Sequence, residues 1–268
     1  MKLLAISDLH LNSTANMQAL TELPAFPDDW LVVAGDIAES PDRFREGLEL
    51  LRDRFAKVIW APGNHDLWTV PGPLGRGQQK YEAFVELARA VGVITPEDPY
   101  AVWTGSGEPS VVVPTFLLYD YSFRPDDVPL GKVIEWARAE RAVCGDELLL
   151  DPAPFASRSE WCHHRCCATE LRLEELGIEV PKIIVNHYPL RRDLVHLPRI
   201  PRFSPWCGTV LTENWHTRFN VRVAVSGHLH VRRTDWRDGT RFEEVSLGYP
   251  WQWDERRGIA AYLRDISP

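Results

Sequence analysis

Cysteine is scarce in this sequence, and its spacing is irregular. Five cysteines occur in 268 residues, and three of them crowd together as Cys162, Cys166 and Cys167. The odd number and the irregular spacing exclude a regular disulfide framework, so we predict a reducing, cytoplasmic environment. On a helix, Cys162 and Cys166 share one face while His163 and Cys167 occupy the adjacent face, which does not present four tetrahedral zinc ligands together. We therefore interpret this segment as a buried helix face rather than a zinc knuckle.

Long apolar runs and an excess of positive charge are also missing. No apolar run approaches the roughly 18 residues that a membrane span requires, and the apolar stretch after Met1 is too short for a secretion signal. Acidic residues outnumber basic residues by 38 to 30, which gives a formal charge of -8. That charge disfavours non-specific binding to nucleic acid or to anionic membranes. The sequence therefore indicates a protein without membrane attachment that acts on a small or locally recognised substrate.

Short aliphatic and β-branched runs recur along the chain and alternate with helical patterns. We predict buried strands at residues 3–6, 31–34, 58–60, 111–116, 183–185 and 221–225. Apolar spacing predicts helices over residues 42–55 and 78–91, the first starting at Ser40-Pro41. This alternation is typical of an α/β fold, and residues 1–268 are an ordinary length for one domain. Residues 131–177 break the alternation, with helices predicted at 132–143 and 157–176, so we interpret them as a helical insertion or cap.

Five polar clusters consist almost wholly of metal-binding residue types, and four of them directly follow a predicted strand. They are Asp8-Leu9-His10, Gly35-Asp36, Gly63-Asn64-His65-Asp66, Asn186-His187 and Gly227-His228-Leu229-His230. Because ligands bind at the carboxyl ends of strands in α/β sheets, we expect the clusters to converge on one crevice. Residues two apart, such as Asp8 and His10, project to the same side of an extended chain and suit one metal centre. Glycines at 35, 63 and 227 would permit tight turns close to an ion.

In this order, the clusters resemble the motifs of the calcineurin-like metallophosphoesterase superfamily, over residues 3 to about 247. The resemblance implies a four-layer α/β/β/α sandwich of two mixed sheets, with two metals at the strand ends. It implies one metal on Asp8, His10, Asp36 and His230, and a second on Asp36, Asn64, His187 and His228. Asp36 would bridge the two. His65 matches the family's imidazole that touches the substrate phosphate, and Asp66 would hold that imidazole in orientation.

The implied chemistry is hydrolysis of a phosphate ester by a dinuclear metal centre. Carboxylate, amide and imidazole ligands together suit Mn, Fe, Zn or Co, with Mn or Fe favoured. Two such ions lower the pKa of a bridging water, and the resulting hydroxide would attack the phosphate with His65 assisting. We expect a small phosphomonoester or phosphodiester as substrate. A protein phosphatase, or an interaction module on the same fold with little or no metal, are the alternatives.

Two kinds of side chain are candidates for substrate contact. Arg191 and Arg192 closely follow the Asn186-His187 cluster, and arginine is a natural clamp for a second phosphate or a carboxylate. Their alternative role is to face solvent. Trp68 closely follows His65 and could stack on a flat leaving group, or simply pack in the core.

Overall fold

The computed structural model describes residues 1–70 and 74–268, and its strands form two sheets. One sheet contains β1 (Leu3–Ile6), β2 (Phe26–Ala34), β3 (Phe55–Ala61) and β10 (Arg264–Asp265), in the order β10-β1-β2-β3. The other has the order β4-β5-β6-β7-β9-β8 and contains β4 (Ala101–Trp103), β5 (Ser110–Pro114), β6 (Lys182–Val185), β7 (Val221–Ser226), β8 (Thr234–Arg237) and β9 (Thr240–Glu244). Both sheets are mixed, because β10, β4 and β8 run antiparallel to parallel neighbours.

The helices of the described residues vary widely in length. They are α1 (Thr14–Thr21), α2 (Pro41–Arg54), α3 (Asn64–Leu67), α4 (Gln78–Ala90), α5 (Val133–Arg138), α6 (Asp146–Leu149), α7 (Arg158–Leu176) and α8 (Trp215–Arg218). As predicted, α2 starts at Ser40-Pro41, where the Ser40 hydroxyl accepts a hydrogen bond from the amide of Arg43 at 3.3 Å. No described helix combines the length and the apolar character that a membrane crossing needs.

Strand alternation produces a four-layer structure. Leu3 and Ala5 of β1 point into an aliphatic cluster between the two sheets, whereas Leu4 and Ile6 belong to the core beneath the helices. Because successive side chains of a strand point to opposite faces, each buried strand is apolar on both sides. The predicted α/β/β/α sandwich of two mixed sheets is confirmed, and all six predicted strands occur, with β1 at its predicted bounds and the other five displaced by no more than five residues at either end.

The region predicted as an insertion or cap, residues 131–177, contains α5, α6 and α7. The helix predicted over 132–143 is wrong at its end, because α5 stops at Arg138. The chain turns there: the amide of Ala142 bonds back to the carbonyl of Ala137 at 3.1 Å, and Arg141 has a positive φ of 62°. In α7, Cys162 and Cys166 are buried, which confirms the predicted helix face, and all five cysteines are free.

Packing between the sheets should contribute strongly to stability. Ile183 in β6 is fully buried in the cluster between the sheets, while Ile178 is exposed. We expect Ile183→Ala to lower the free energy of unfolding by about 2–5 kcal/mol, because it leaves a cavity where the sheets cannot collapse. The matched control Ile178→Ala should change it by less than about 0.5 kcal/mol. Urea unfolding followed by circular dichroism measures both, and equal effects would show that Ile183 contributes no more to stability than an exposed isoleucine.

Candidate metal centre

The five polar clusters lie at one edge of the two sheets. They follow β1, β2, β3, β6 and β7, which run parallel within their sheets and so end on the same side. The sheets are joined at this edge, where Ser7 after β1 pairs with Ser246 after β9. The amide of Ser7 donates to the carbonyl of Val245 at 3.2 Å, and Leu247 donates back to Ser7 at 2.8 Å. The predicted convergence of the clusters therefore follows from strand direction and from this junction.

The clusters are not extended, contrary to the prediction for Asp8, His10, His228 and His230. All four have left-handed backbone, with φ values of 54°, 44°, 71° and 54°, and Asp36 has a φ of 55°. Residues other than glycine rarely adopt this conformation, and they do so mainly where surrounding contacts enforce it. Here, the amide of Asp8 donates to the carbonyl of Gly35 at 2.9 Å and that of His10 donates to Asp36 at 3.0 Å. Tight turns, rather than strand alternation, bring the paired side chains together.

All three glycines in the clusters are required for space, since even at Gly35 a Cβ would lie 2.6 Å from the Gly63 amide nitrogen. A Cβ at Gly63 would overlap the Asp36 carboxylate, and one at Gly227 would overlap Ser7 and the Asp8 carboxylate. Only Gly35 of the three predicted turn glycines has a positive φ, at 89°. Gly63 and Gly227 therefore let backbone pass directly against the carboxylates at the centre.

Metal-binding atoms meet in two adjoining groups. In the first, His230 Nε2 lies 2.9 Å from Asp8 Oδ1 and 3.4 Å from His10 Nε2. In the second, His187 Nε2 lies 3.0 Å from Asn64 Oδ1 and 3.4 Å from Asp36 Oδ2. His228 Nδ1 completes the second group at 3.2 Å from Asn64 Oδ1. Asp36 also lies within 4.8 Å of Asp8 and of His10, so it stands between the groups.

Neighbouring groups determine which atom of each side chain faces the centre. His187 Nδ1 bonds to the carbonyl of Ala34 at 2.9 Å, and His230 Nδ1 bonds to Gln252 Oε1 at 2.7 Å, so each ring turns Nε2 inwards. The Asn64 amide nitrogen donates to Asp146 Oδ1 at 2.9 Å, which turns Asn64 Oδ1 inwards. The outer oxygen of Asp8 accepts from the hydroxyls of Ser7 and Ser246. Oxygen and nitrogen lone pairs therefore converge, which is the arrangement that a cation stabilises.

Burial shifts the ionisation of these groups strongly. Burial, followed by the charges of Asp8 and Asp66, raises the pKa of Asp36 well above its ordinary value. Burial, together with the charge of His65, lowers the pKa of His10 well below its ordinary value. Burial alone would lower the pKa of His230, but the adjacent Asp8 raises it to about 9. The His10 imidazole is therefore neutral, as metal binding requires, whereas His230 would release a proton on binding a cation.

His65 faces the same centre but is held by Glu39, not by Asp66. Its Nδ1 bonds to Glu39 Oε1 at 2.6 Å, and its ring packs on Trp68 with the centroids 3.6 Å apart. Its Nε2 points towards the hydroxyl of Tyr249 at 3.5 Å. The ring of Tyr249 in turn stacks on His10, with a centroid distance of 4.2 Å and an interplanar angle of 12°. Glu39 and Tyr249 thus fix His65 on opposite sides of its ring.

The expectation that Asp66 orients His65 is wrong, because the Asp66 carboxylate bonds to backbone. It accepts from the amides of Asp36 at 3.0 Å, Ile37 at 2.8 Å, Ala38 at 3.1 Å and Gly63 at 2.9 Å. It also accepts from the indole of Trp60 at 3.3 Å. Burial raises the pKa of Asp66 to about 6 despite these bonds. Asp66 therefore ties the loop after β2 to the loop after β3.

A cavity of about 330 Å³ lies over the two groups. Its floor is formed by Asp36, Asn64, His65, His228 and His230, and its walls are formed by Trp68, Val143, Cys144, Gly145, Leu197, Ile200, Phe203, Leu229, Tyr249 and Gln252. Trp68 lies in the cavity wall, and its stacking on a substrate stays a prediction. Its indole nitrogen donates to Asp146 Oδ1 at 2.6 Å, which leaves its ring face to the cavity and His65. Among the described residues, no lysine or arginine lines this cavity.

The structure does not bring Arg191 and Arg192 to the cavity. Arg191 pairs with Asp193 at 2.8 Å and donates to the carbonyl of Glu213 at 3.1 Å. Arg192 pairs with Asp126 at 3.0 Å, outside the cavity walls. Closeness in sequence to the Asn186-His187 motif therefore did not predict where the side chains of Arg191 and Arg192 point.

Several residues of the site were missed from the sequence. Glu39 could have been found from the sequence, because it is a carboxylate only three residues after Asp36 and in the same loop. Asp146 is 82 residues from Asn64, and Gln252 is 22 residues from His230. Glu244 is buried at the end of β9 and accepts from the amides of His230 and Arg232, which holds the loop after β7. No spacing rule connects these residues to the motifs.

Both the sequence and the fold resemble those of known phosphoesterases. The family model described as calcineurin-like phosphoesterase matches residues 1–232. The chain is 48% identical over 268 residues to the acyl-carrier-protein phosphodiesterase PptH of Mycobacterium tuberculosis, covering 98% of this chain and 82% of the relative. The crystal structure of phosphopantetheinyl hydrolase (PptH) from that organism matches with a TM-score of 0.94 and 48% identity, covering 100% of this chain and 96% of that one. A dimetal phosphatase from Danio rerio matches with a TM-score of 0.50 at 12% identity, covering 96% of this chain and 90% of that one, and shows a shared fold alone.

Substituting Asp66 should mainly lower stability, whereas substituting Glu39 should mainly lower turnover. Asp66→Ala leaves four buried amides without an acceptor, so we expect the free energy of unfolding to fall by at least about 3 kcal/mol. Glu39→Ala removes a contact to one side chain, so the fold should lose less than about 1 kcal/mol while phosphodiester turnover falls. Urea unfolding and turnover of bis(4-nitrophenyl) phosphate measure the two effects. If Asp66→Ala is stable and loses only turnover, Asp66 rather than Glu39 orients the imidazole of His65.

Proposed function

The chain belongs to the calcineurin-like phosphoesterase family, and we propose that it hydrolyses the phosphodiester that joins a phosphopantetheinyl group to an acyl carrier protein. The relative at 48% identity supports this substrate, because its names specify an acyl-carrier-protein phosphodiesterase and a phosphopantetheinyl hydrolase. The observation that carries the proposal is the cavity, whose described walls are largely apolar and contain no lysine or arginine.

The charge of the phosphate favours a diester over a monoester. A phosphodiester carries one negative charge, while a phosphomonoester carries close to two near neutral pH. Enzymes that hold the second charge commonly use arginine or lysine beside the metals. Arg191 and Arg192, the expected clamps, pair with Asp193 and Asp126 instead. This arrangement also disfavours the protein phosphatase alternative, because phosphorylated side chains are monoesters.

The walls of the cavity suit the phosphopantetheinyl group, a flexible and largely uncharged chain that we call the arm. Leu197, Ile200 and Phe203 come from one segment, and Val143 and Cys144 come from the segment before α6. Ile200 and Val143 are exposed at 45% and 68%, so the apolar surface continues to the mouth of the cavity. A long substrate group could therefore leave the site along apolar side chains while its phosphate lies on the floor. Such a substrate is larger than the small ester that the sequence suggested.

The family uses a dinuclear metal centre, and the residues on the floor of the cavity fit one. We assign one ion to Asp8, His10, Asp36 and His230, and the other to Asp36, Asn64, His187 and His228. The fit rests on the converging lone pairs, above all on the His10 and His230 nitrogens that face each other at 3.4 Å beside Asp8. Mixed oxygen and nitrogen ligands favour Mn or Fe. Two such ions would activate water as a nucleophile and neutralise charge on the phosphate oxygens.

His65 would act as the general acid that protonates the leaving group. The Glu39 carboxylate accepts from Nδ1 of His65, so that a proton on Nε2 would face the cavity. As the bond from phosphorus to the carrier-protein oxygen breaks, His65 donates this proton to that oxygen, because an alkoxide is a poor leaving group. The hydroxyl of Tyr249, beside His65, would donate to a phosphate oxygen. The products are phosphopantetheine and the unmodified carrier protein.

A substrate comparison tests this proposal. The Mn-loaded protein should convert a phosphopantetheinylated acyl carrier protein to its unmodified form, which intact-protein mass spectrometry detects as loss of the arm. Among small probes, bis(4-nitrophenyl) phosphate should be hydrolysed at least about tenfold faster than 4-nitrophenyl phosphate, because one negative charge fits the cavity better than two. An unchanged carrier protein together with a preference for the monoester would overturn the proposal.

The metal assignment predicts unequal losses on substitution. Asp36→Ala removes the shared carboxylate, so both ions should be lost, whereas His10→Ala should mainly weaken one ion. His164 is exposed on α7 and far from the ligand groups in sequence, so His164→Ala serves as the matched control and should keep both ions. Elemental analysis after Mn loading gives the number of ions per chain. Loss of one ion in both Asp36→Ala and His10→Ala would remove Asp36 from the shared position.

A further inference from the structure

Residues 191–204, which we term the rim segment, differ in charge from the rest of the chain. They contain four arginines and one aspartate, a formal charge of +3 within a protein of formal charge -8. The segment follows β6 and the Asn186-His187 cluster, so it starts at the edge of the metal centre. Neither the metal ligands nor the proton transfer of the proposed reaction uses these arginines.

The rim segment separates two recesses. Its apolar side chains Leu197, Ile200 and Phe203 line the cavity over the metal centre. Its other side, including Arg192, Val195 and Arg202, lines a groove of about 500 Å³ together with Arg124 and Trp136. The same stretch of chain therefore presents apolar groups to the cavity and guanidinium groups to the adjacent surface.

Backbone carbonyls hold the groove arginines without cancelling their charge. Arg124 donates to the carbonyl of Val128 at 2.7 Å, Arg202 to that of Trp136 at 2.6 Å, and Arg192 to that of Arg124 at 3.2 Å. The guanidinium of Arg202 also lies 4.8 Å from the Trp136 ring centroid. Arginines positioned in advance lose little conformational entropy when they bind a carboxylate.

The carboxylates at the groove offset this charge weakly. Asp126 pairs with Arg192 at 3.0 Å and Glu140 pairs with Arg202 at 3.2 Å, but their side chains are 90% and 64% exposed. Ion pairs this open to water contribute little and exchange readily. Arg199 is exposed at the mouth and forms no ion pair with any residue in the described part of the chain. The groove and rim together are thus a local positive surface.

We propose that the groove and the rim segment dock an acidic surface of the carrier protein that bears the phosphopantetheinyl group. This inference rests on the proposed function, since the arm in the cavity obliges its carrier to sit at the mouth. Carboxylates of the carrier would replace Asp126 and Glu140 on Arg192 and Arg202, and Arg199 would gain a partner. The overall charge of -8 disfavours a highly charged polyanion such as nucleic acid at this surface. The arginines therefore select the carrier, while the cavity selects the arm.

Charge reversal at Arg199 tests the docking surface. With phosphopantetheinylated acyl carrier protein as substrate, Arg199→Glu should raise KM about five- to tenfold and leave kcat nearly unchanged, because rim charges act on association. Turnover of bis(4-nitrophenyl) phosphate should equal that of the unsubstituted protein, which also shows that the variant is folded. Raising the salt concentration should raise KM of the unsubstituted protein more than that of the variant.

Two further variants sharpen the test. Arg202→Glu should also raise KM for the carrier protein, while Arg202→Lys, which keeps the charge, should raise it less. The matched control Arg222→Glu reverses a charge at the start of β7, at the opposite end of that strand from the metal centre, and should leave KM unchanged. If Arg199→Glu and Arg202→Glu are both active and keep the KM of the unsubstituted protein for the carrier protein, the proposed docking surface is wrong while the proposed function stands. If the unsubstituted protein hydrolyses small diesters but does not release the group from the carrier protein, both the proposed function and the proposed docking surface are wrong.

Discussion

The Asp66 carboxylate is the constraint on which the site depends. Its two oxygens accept four backbone amides from the loops after β2 and β3, together with the Trp60 indole. Asp36 can hold its left-handed conformation because these bonds fix the backbone on its carboxyl side. The same bonds place Gly63 against the Asp36 carboxylate, so Asn64 and His65 begin α3 beside it. A buried carboxylate with this many donors is a structural element rather than a reactive one.

The candidate metal centre contains buried carboxylates whose negative charge the surrounding side chains do not fully neutralise. Asp8 and Asp36 are buried at the junction of the two sheets, and the surrounding imidazoles are held with a nitrogen lone pair inwards. Burial and the neighbouring carboxylates raise the pKa of Asp36, while burial lowers the pKa of His228 and His187. Divalent cations relieve both effects, because they stabilise carboxylates and bind neutral imidazoles. Rigid outer contacts keep this unfavourable arrangement in place, as is common for functional sites.

Positive charge is absent from the described walls of the cavity and concentrated beside it. In the proposed reaction, the cavity would leave neutralisation of the phosphate to the metal centre and would offer neutral donors such as Tyr249. The arginines of the rim segment and the adjacent groove lie outside, held by carbonyls and exposed carboxylates. This division suits a substrate with a singly charged phosphate, an uncharged arm and a larger charged partner. Under the proposed docking, it would also allow a protein with a net negative charge to bind an acidic partner at one place.

The sequence by itself determined the fold and which polar motifs would meet at one edge of the two sheets. Runs of aliphatic residues marked strands buried on both faces, and ligand residue types at strand ends marked the edge where they meet. Both signals are local, so Asp8, Asp36 and His228 were identified without the fold. Only the tertiary structure assigned Glu39 rather than Asp66 to His65, brought Asp146 to Asn64 across 82 residues, and turned Arg191 and Arg192 away from the cavity. These outcomes depend on left-handed turns and on which partner a side chain meets in space, and neither is encoded in spacing along the chain.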